Sequence, residues 1–201
     1  MTAQKVRKPV VAVDADGVIL DFEARWVEVA EQTLGRSLVK QSAEYHFIPR
    51  YGITKAEYGQ TWDAFDAMGG WATLPLLDGA DVALRRLAEH YTIHVVTGIE
   101  LRFKAARWAN IRHHGLPVHE VHVTGHRDNT KETILRNLRP EAFVDDRRLH
   151  LEQAHQAGIR RLFWVDRGDE QGARAPGEAR GAASDFGIRR IGSLLEMAEQ
   201  L

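Results

Sequence analysis

Three apolar runs in this 201-residue chain each end in side chains that could do chemistry. Val10-Val11-Ala12-Val13 leads into Asp14 and Asp16, Tyr91 to Val96 into Thr97 and Gly98, and Ala142-Phe143-Val144 into Asp145 and Asp146. Brought together, four carboxylates repel one another by on the order of several kcal/mol in a partly dry site. A divalent cation relieves that repulsion. Oxygen donors without cysteine point to Mg2+, which commonly takes one or two carboxylates plus a substrate phosphate. The same residues suit attack on a phosphate monoester. Asp14 serves as nucleophile, and Asp16 as the acid that protonates the leaving oxygen and then activates water. Thr97, Gly98 and nearby amides bind phosphoryl oxygens, and Lys131, with Lys104 as a possible substitute, offsets their charge. Asp145 and Asp146 hold the metal.

This chemistry requires elements that carry distant residues to one edge. The apolar runs read as buried parallel strands. Between and after them lie amphipathic stretches: Phe22 to Leu34, stopped by Gly35; a helix after Asp78, which can cap it; Leu101 to His113, stopped by Gly115; and one ending at Ala157 before Gly158. Further strands are expected at Val118 to Val123, Arg161 to Val165 and Ile188 to Ile191, with a last helix from Ser193. Asn129-Thr130-Lys131-Glu132 has the form of a capping box, which would set Lys131 in the first turn of a helix. Alternating strands and helices predict an α/β, Rossmann-like doubly wound parallel sheet, whose ligands collect at the carboxyl ends of its strands. Asp166 to Phe186, without periodicity, is read as a mobile loop.

Arg36 to Leu74 differs in character. It has no strand-like run but seven aromatics, Tyr45, Phe47, Tyr51, Tyr58, Trp62, Phe65 and Trp71, and reads as a small helical insertion interrupted at Pro49 and at Gly69-Gly70. Its aromatics are expected to form mainly the insertion's own core. Phe22, Phe47, Tyr51, Trp62 and Trp71 are the candidates for an entrance wall.

Composition narrows the partners. With 27 Lys and Arg against 28 Asp and Glu, the formal charge is -1, so no overall field draws nucleic acid or an anionic membrane. The arginine pairs fall in different elements and make no continuous basic face. The absence of cysteine excludes disulfides and thiolate chemistry. The N-terminal apolar run is too short for a signal or a span, which gives the expectation of a cytoplasmic protein. His113, His114, His119, His122 and His126 crowd one region, but strand spacing argues against a helical zinc pair, and a scattered, solvated set is expected.

VDADGV, VVTG, Lys131 and FVDD, in that order, resemble the four motifs of the haloacid dehalogenase-like hydrolase superfamily. The resemblance implies a magnesium-dependent aspartyl-phosphate phosphatase acting on a small phosphorylated metabolite. It places the metal on the carboxylate of Asp14, the backbone carbonyl of Asp16 and an acidic residue of the Asp145–Asp146 pair. It further implies a core of residues 1–17 and 75–201 with a helical cap at 18–74. DADGVILDFEARW is similar to the opening of the 5′(3′)-deoxyribonucleotidases, where the residue matched by Phe22 helps form the nucleobase pocket. A phosphomutase or phosphotransferase of the same fold is the alternative. A signalling receiver domain orders its acidic pair, phosphorylated aspartate and lysine differently, and a non-catalytic phosphate binder would have no need of every catalytic position.

Overall fold

The computed structural model describes residues 8–125, 130–168 and 186–201. Six strands, β1 (Val10–Val13), β2 (Thr92–Thr97), β3 (Glu120–Val123), β4 (Ala142–Asp145), β5 (Arg161–Val165) and β6 (Ile188–Ile191), form one sheet in the order β3-β2-β1-β4-β5-β6. Every neighbouring pair is parallel. The sheet is therefore the α/β Rossmann-like one expected, and β1 lies at its centre. The chain runs outward from β1 through β2 to β3, then crosses back to β4 and runs out the other way. Such a reversal opens a crevice beyond the carboxyl ends of the two central strands.

Side-chain alternation feeds two apolar layers. Val11 and Val13 pack into the larger one, and Ala12 points to the opposite face with Val96 and Phe143. Each buried Val, Leu or Phe in these layers contributes roughly 1.5–3 kcal/mol. On the larger side lie α4 (Ala80–His90), with Ala83, Leu84 and Leu87 buried, and α8 (Leu194–Gln200). On the other face pack α6 (Glu132–Leu138) and α7 (Arg148–Gln156).

Between β1 and α4 the chain forms α1 (Phe22–Leu34), α2 (Phe47–Tyr51) and α3 (Lys55–Ala67), and a 3₁₀ turn at Gly70–Ala72. Asp21 caps α1 by accepting from the Ala24 amide, and Gly35 ends it in the left-handed region. A full capping box, Thr54 with Glu57, opens α3. Pro49 does not interrupt the region: it sits in the first turn of α2, where its missing amide hydrogen leaves no helical bond unmade. The break after α3 does fall at Gly69, whose φ is +66°. Gly70 is required for space, because a Cβ there would come within 2.6 Å of the Phe65 ring.

Two expected caps differ. Gly79, not Asp78, is the N-cap of α4, in the left-handed region and without a side-chain cap bond. Lys131 is itself the N-cap of α6 and makes no cap bond, so the capping box does not form around it; its side chain is drawn inward instead. Asn129 lies outside the described residues, as do His126 and most of the expected Asp166–Phe186 loop. The expected helix at Leu101 to His113 begins as a 3₁₀ turn, Leu101–Phe103, and continues as α5 (Lys104–His113). No helix among the described residues is long and apolar enough to cross a membrane.

Candidate active site

Asp14 continues β1 by donating its amide to the Val144 carbonyl of β4, 3.0 Å away, so the reversal point of the sheet fixes its backbone. The carboxylate is buried, and its Oδ1 accepts from the Ala15 amide at 2.7 Å and faces Lys131 Nζ at 2.7 Å. Among the described residues Oδ2 takes no hydrogen bond. Lys131 Nζ also donates to Asp145 Oδ2 at 2.7 Å, so one buried cation bridges the carboxylates of two neighbouring strands. Asp145 is held further by the Arg147 amide on Oδ1 at 2.8 Å and by His150 Nδ1, 3.1 Å from both oxygens.

Electrostatics separates these two acids. Burial pushes Asp14 up to about 6, and neighbouring Asp145 and Asp16 add to the rise, while Lys131 only partly offsets it. Burial also acts on Asp145, but Lys131 and His150 outweigh it and hold that carboxyl well below the usual range. Lys131 pays a burial penalty that favours its neutral form, yet the two carboxylates raise its pKa above the ordinary lysine value. Asp145 is thus the fixed anion, Lys131 the fixed cation, and Asp14 the group whose charge depends on what else enters.

Asp14, Asp145 and Asp146 bring carboxylate oxygens within 4.8 Å of one another. This all-oxygen donor set fits a hard divalent cation such as Mg2+. The turn at Gly17 leaves room for it: φ is +78°, and a Cβ there would lie 2.3 Å from Asp146 Oδ2. The Asp16 carboxylate stands outside this group. A single Arg107 Nη2 reaches both its oxygens, at 2.7 and 2.8 Å, and Arg107 is fully buried. Any metal contact from residue 16 thus falls to its backbone, as the motif resemblance implies. Thr97, at the end of β2, is fully buried, and its Oγ1 has no partner among the described residues.

A cleft of about 240 Å³ opens above this floor. Asp14, Asp16, Gly98, Lys131, Asp146 and His150 line its base; Phe22, Phe47, Tyr58 and Trp62 form an aromatic wall, and Arg50, Arg147 and Arg167 also face it. Phe22 stacks on Phe47, Trp62 and Trp71 with centroids 6.0, 5.8 and 5.6 Å apart. The expected division between core and wall is therefore shared within one cluster: Tyr51, Phe65 and Trp71 are buried behind the residues that face the cleft. Glu23, at the rim, gathers Tyr51, Arg50 and Lys40. Burial raises its pKa, but those three hydrogen bonds together hold it below the ordinary glutamate value.

The structure gathers Asp14, Asp16, Thr97, Gly98, Lys131, Asp145 and Asp146 at this edge of the sheet and sets Phe22 in the wall above it; Arg107 and His150, which join them, were not among the residues expected from the sequence. Arg107 lies with Asn110 and Ile111 on the buried face of α5, and His150 with Leu151 and Ala154 on that of α7, so only helix packing shows that they turn inward. The histidines also need correction. His114 Nε2 lies 2.9 Å from the Leu74 carbonyl, and His94, His119 and His122 pack side by side, so the set is not simply scattered and solvated.

No family model matches the chain, and no curated protein does. Solved structures do. The HAD-hydrolase candidate YfnB from Bacillus subtilis, bound to magnesium, is 14% identical with a TM-score of 0.62, covering 97% of this chain and 99% of that one. The L-2-haloacid dehalogenase PA0810 is 16% identical with a TM-score of 0.60 over 96% and 99%. A β-phosphoglucomutase candidate from Thermotoga maritima is 15% identical with a TM-score of 0.57 over 96% and 99%. At such identities the likeness is one of fold, the one these solved structures share.

Proposed function

We propose that this chain is a magnesium-dependent phosphomonoester hydrolase working through an aspartyl-phosphate. The observation that carries the reading is the Asp14–Lys131–Asp145 bridge at the base of an open cleft, with Asp14 Oδ2 taking no hydrogen bond among the described residues. Asp14 Oδ2 attacks phosphorus as the bond to the leaving oxygen breaks, and Asp16 gives that oxygen its proton. Asp16 then takes a proton from water as the water attacks phosphorus, which frees Asp14 and inorganic phosphate. Lys131 offsets charge on the phosphoryl oxygens, and the orphaned Thr97 hydroxyl with the Gly98 backbone offers them donors. Asp14, Asp145 and Asp146 would hold Mg2+, which when bound keeps Asp14 ionised and screens the phosphate charge. Arg107 Nη2 holds both oxygens of Asp16, so Asp16 must loosen from Arg107 before it can reach the leaving oxygen.

The acid at residue 16 and the three-carboxylate cluster support phosphoryl transfer over halide displacement, which needs neither. The arginines at the cleft suit an anionic substrate, and the aromatic wall suits a planar ring beside the phosphate. With the likeness of DADGVILDFEARW to the deoxyribonucleotidases, these support a (deoxy)nucleoside monophosphate as substrate. The test is phosphate release from deoxynucleotides, sugar phosphates and p-nitrophenyl phosphate, with Mg2+ and with chelator. We expect metal-dependent release that Asp14→Asn abolishes and Asp16→Ala slows by about 10²–10⁴-fold. Release unaffected by chelator, or full activity in Asp14→Asn, overturns the mechanism. Transfer of the phosphoryl group to a second sugar phosphate instead of water would favour the mutase alternative.

A further inference from the structure

The edge of the sheet away from the cleft carries a second group of ligating side chains. His94 on β2 is in register with Glu120 on β3, and Val96 is in register with His122. The period-2 alternation of strands therefore turns His94, Glu120 and His122 to one face of the β2–β3 pair. His94 Nδ1 and His122 Nε2 lie 2.9 Å apart with their rings stacked, and Glu120 Oε2 is 3.8 Å from His122 Nε2. All three offer a ligand atom within 4.8 Å of the others. We propose that His94, Glu120 and His122 form a binding site for a divalent transition metal of the zinc class, distinct from the carboxylate site at the strand tips.

The donor set is the argument. Two imidazole nitrogens and one carboxylate suit zinc, whereas Mg2+ favours oxygen ligands and its own waters. Zinc–nitrogen bonds near 2.0 Å at a tetrahedral angle put two such nitrogens about 3.3 Å apart. The observed pair needs to open by only a few tenths of an ångström as the metal replaces their shared proton. Burial lowers the pKa of both imidazoles against the opposing pull of Glu120, with His122 and His119 adding to the fall at His94 and Lys104 to that at His122. Glu120 is exposed and His122 half-buried, which gives a path in from solvent and room for a water as fourth ligand.

The position gives such a metal a consequence. β3 is an edge strand of only four residues, and the loop after it returns to the active-site strand through Thr124 N to Thr97 O at 3.1 Å and Gly125 N to Ile99 O at 3.1 Å. A metal across β2 and β3 clips this edge three residues before Thr97.

The experiment uses the full chain, stripped with chelator and dialysed into millimolar Mg2+, titrated with ZnCl2 by calorimetry. One saturable equivalent is expected, weakened about tenfold or more by His94→Ala or His122→Gln and retained in Asp145→Asn, which separates it from the strand-tip carboxylates. Co2+ in place of zinc should give the intense visible bands of a four-coordinate site. In the unmodified protein, zinc should shift the ring resonances of His94 and His122 in a histidine NMR spectrum, a readout that does not depend on a variant folding. No saturable binding, binding unchanged in the His94→Ala/His122→Gln double variant, or zinc lost on Asp145→Asn alone overturns the proposal.

Discussion

The floor of the cleft is buried and its aromatic wall half-buried, and the two are held in place for opposite reasons. At the floor Asp14, Lys131 and Asp145 lie in a dry space where each charge is tolerated only because of the others. In the wall Phe22 stacks on Phe47 and Trp62, Trp26 packs behind them with its centroid 4.3 Å from that of Phe47, and every contact favours the folded chain. The floor therefore spends stability on chemistry, and the wall supplies stability while shaping what can enter.

The largest effect should come from breaking the floor on one side. Lys131→Met leaves Asp14 and Asp145 facing each other without a cation, and should lower unfolding stability by about 3–5 kcal/mol in urea melts of the metal-free protein. Added Mg2+ should recover part of that loss, since it can take over the role of the missing charge. If Lys131→Met melts like the parent protein, the floor is not the costly region.

Trp26→Ala tests the wall. Its side chain is fully inaccessible and touches Phe47, Tyr51, Tyr58 and Trp62, so truncation should cost about 3–5 kcal/mol through lost burial and the cavity left behind. Unlike the lysine variant, it should gain nothing specific from Mg2+.

Asp14→Asn should do what no wall truncation can, which is to stabilise the metal-free protein. The carboxyl titrates near 3.8 in the unfolded chain and at about 6 when folded. Between those values the folded chain binds the extra proton, so stability falls as pH rises from about 4 through 6, and the penalty is complete above that. Asn removes the penalty, for a gain of about 1–3 kcal/mol at pH 7 after allowing for the lost Lys131 contact. Below pH 4 the gain should vanish. A constant difference across pH would mean that ionisation of Asp14 is not its source.

How much of this was readable from the chain follows the same division. The floor was legible because a carboxylate at the end of an apolar run is conspicuous, and because parallel strands necessarily gather their ends. Its supports were not: Arg107 reaches Asp16 across 91 positions, and only the packing of α5 against the sheet side decides that an arginine there turns inward. Lys131 was placed correctly in the chain but with the wrong local geometry, since attraction by two buried carboxylates overrides the local capping pattern. The wall was legible as composition alone. Register is what remained hidden at the sheet edge, because nothing in the 25 residues between His94 and Glu120 says that they lie opposite each other.

The smallest effect separates how the wall is held from what it holds. Tyr58 and Trp62 reach the cleft from α3, whose first turn is fixed by Thr54 Oγ1 accepting the Glu57 amide at 3.2 Å while Glu57 Oε2 accepts the Thr54 amide at 2.7 Å. Thr54→Ala removes one half of that box and should cost about 1 kcal/mol, with no contact to the floor altered. If the wall only selects substrate, the fraying of α3 should raise KM a few-fold and leave kcat as it was. The Thr54 amide bond, the Arg36 ion pair and the Thr54 hydroxyl together hold Glu57 at about 2, so this half of the box persists through mildly acidic pH. A fall in kcat with Thr54→Ala would mean that α3 positions the reacting groups as well as the substrate, and the separation of wall from floor would have to be abandoned.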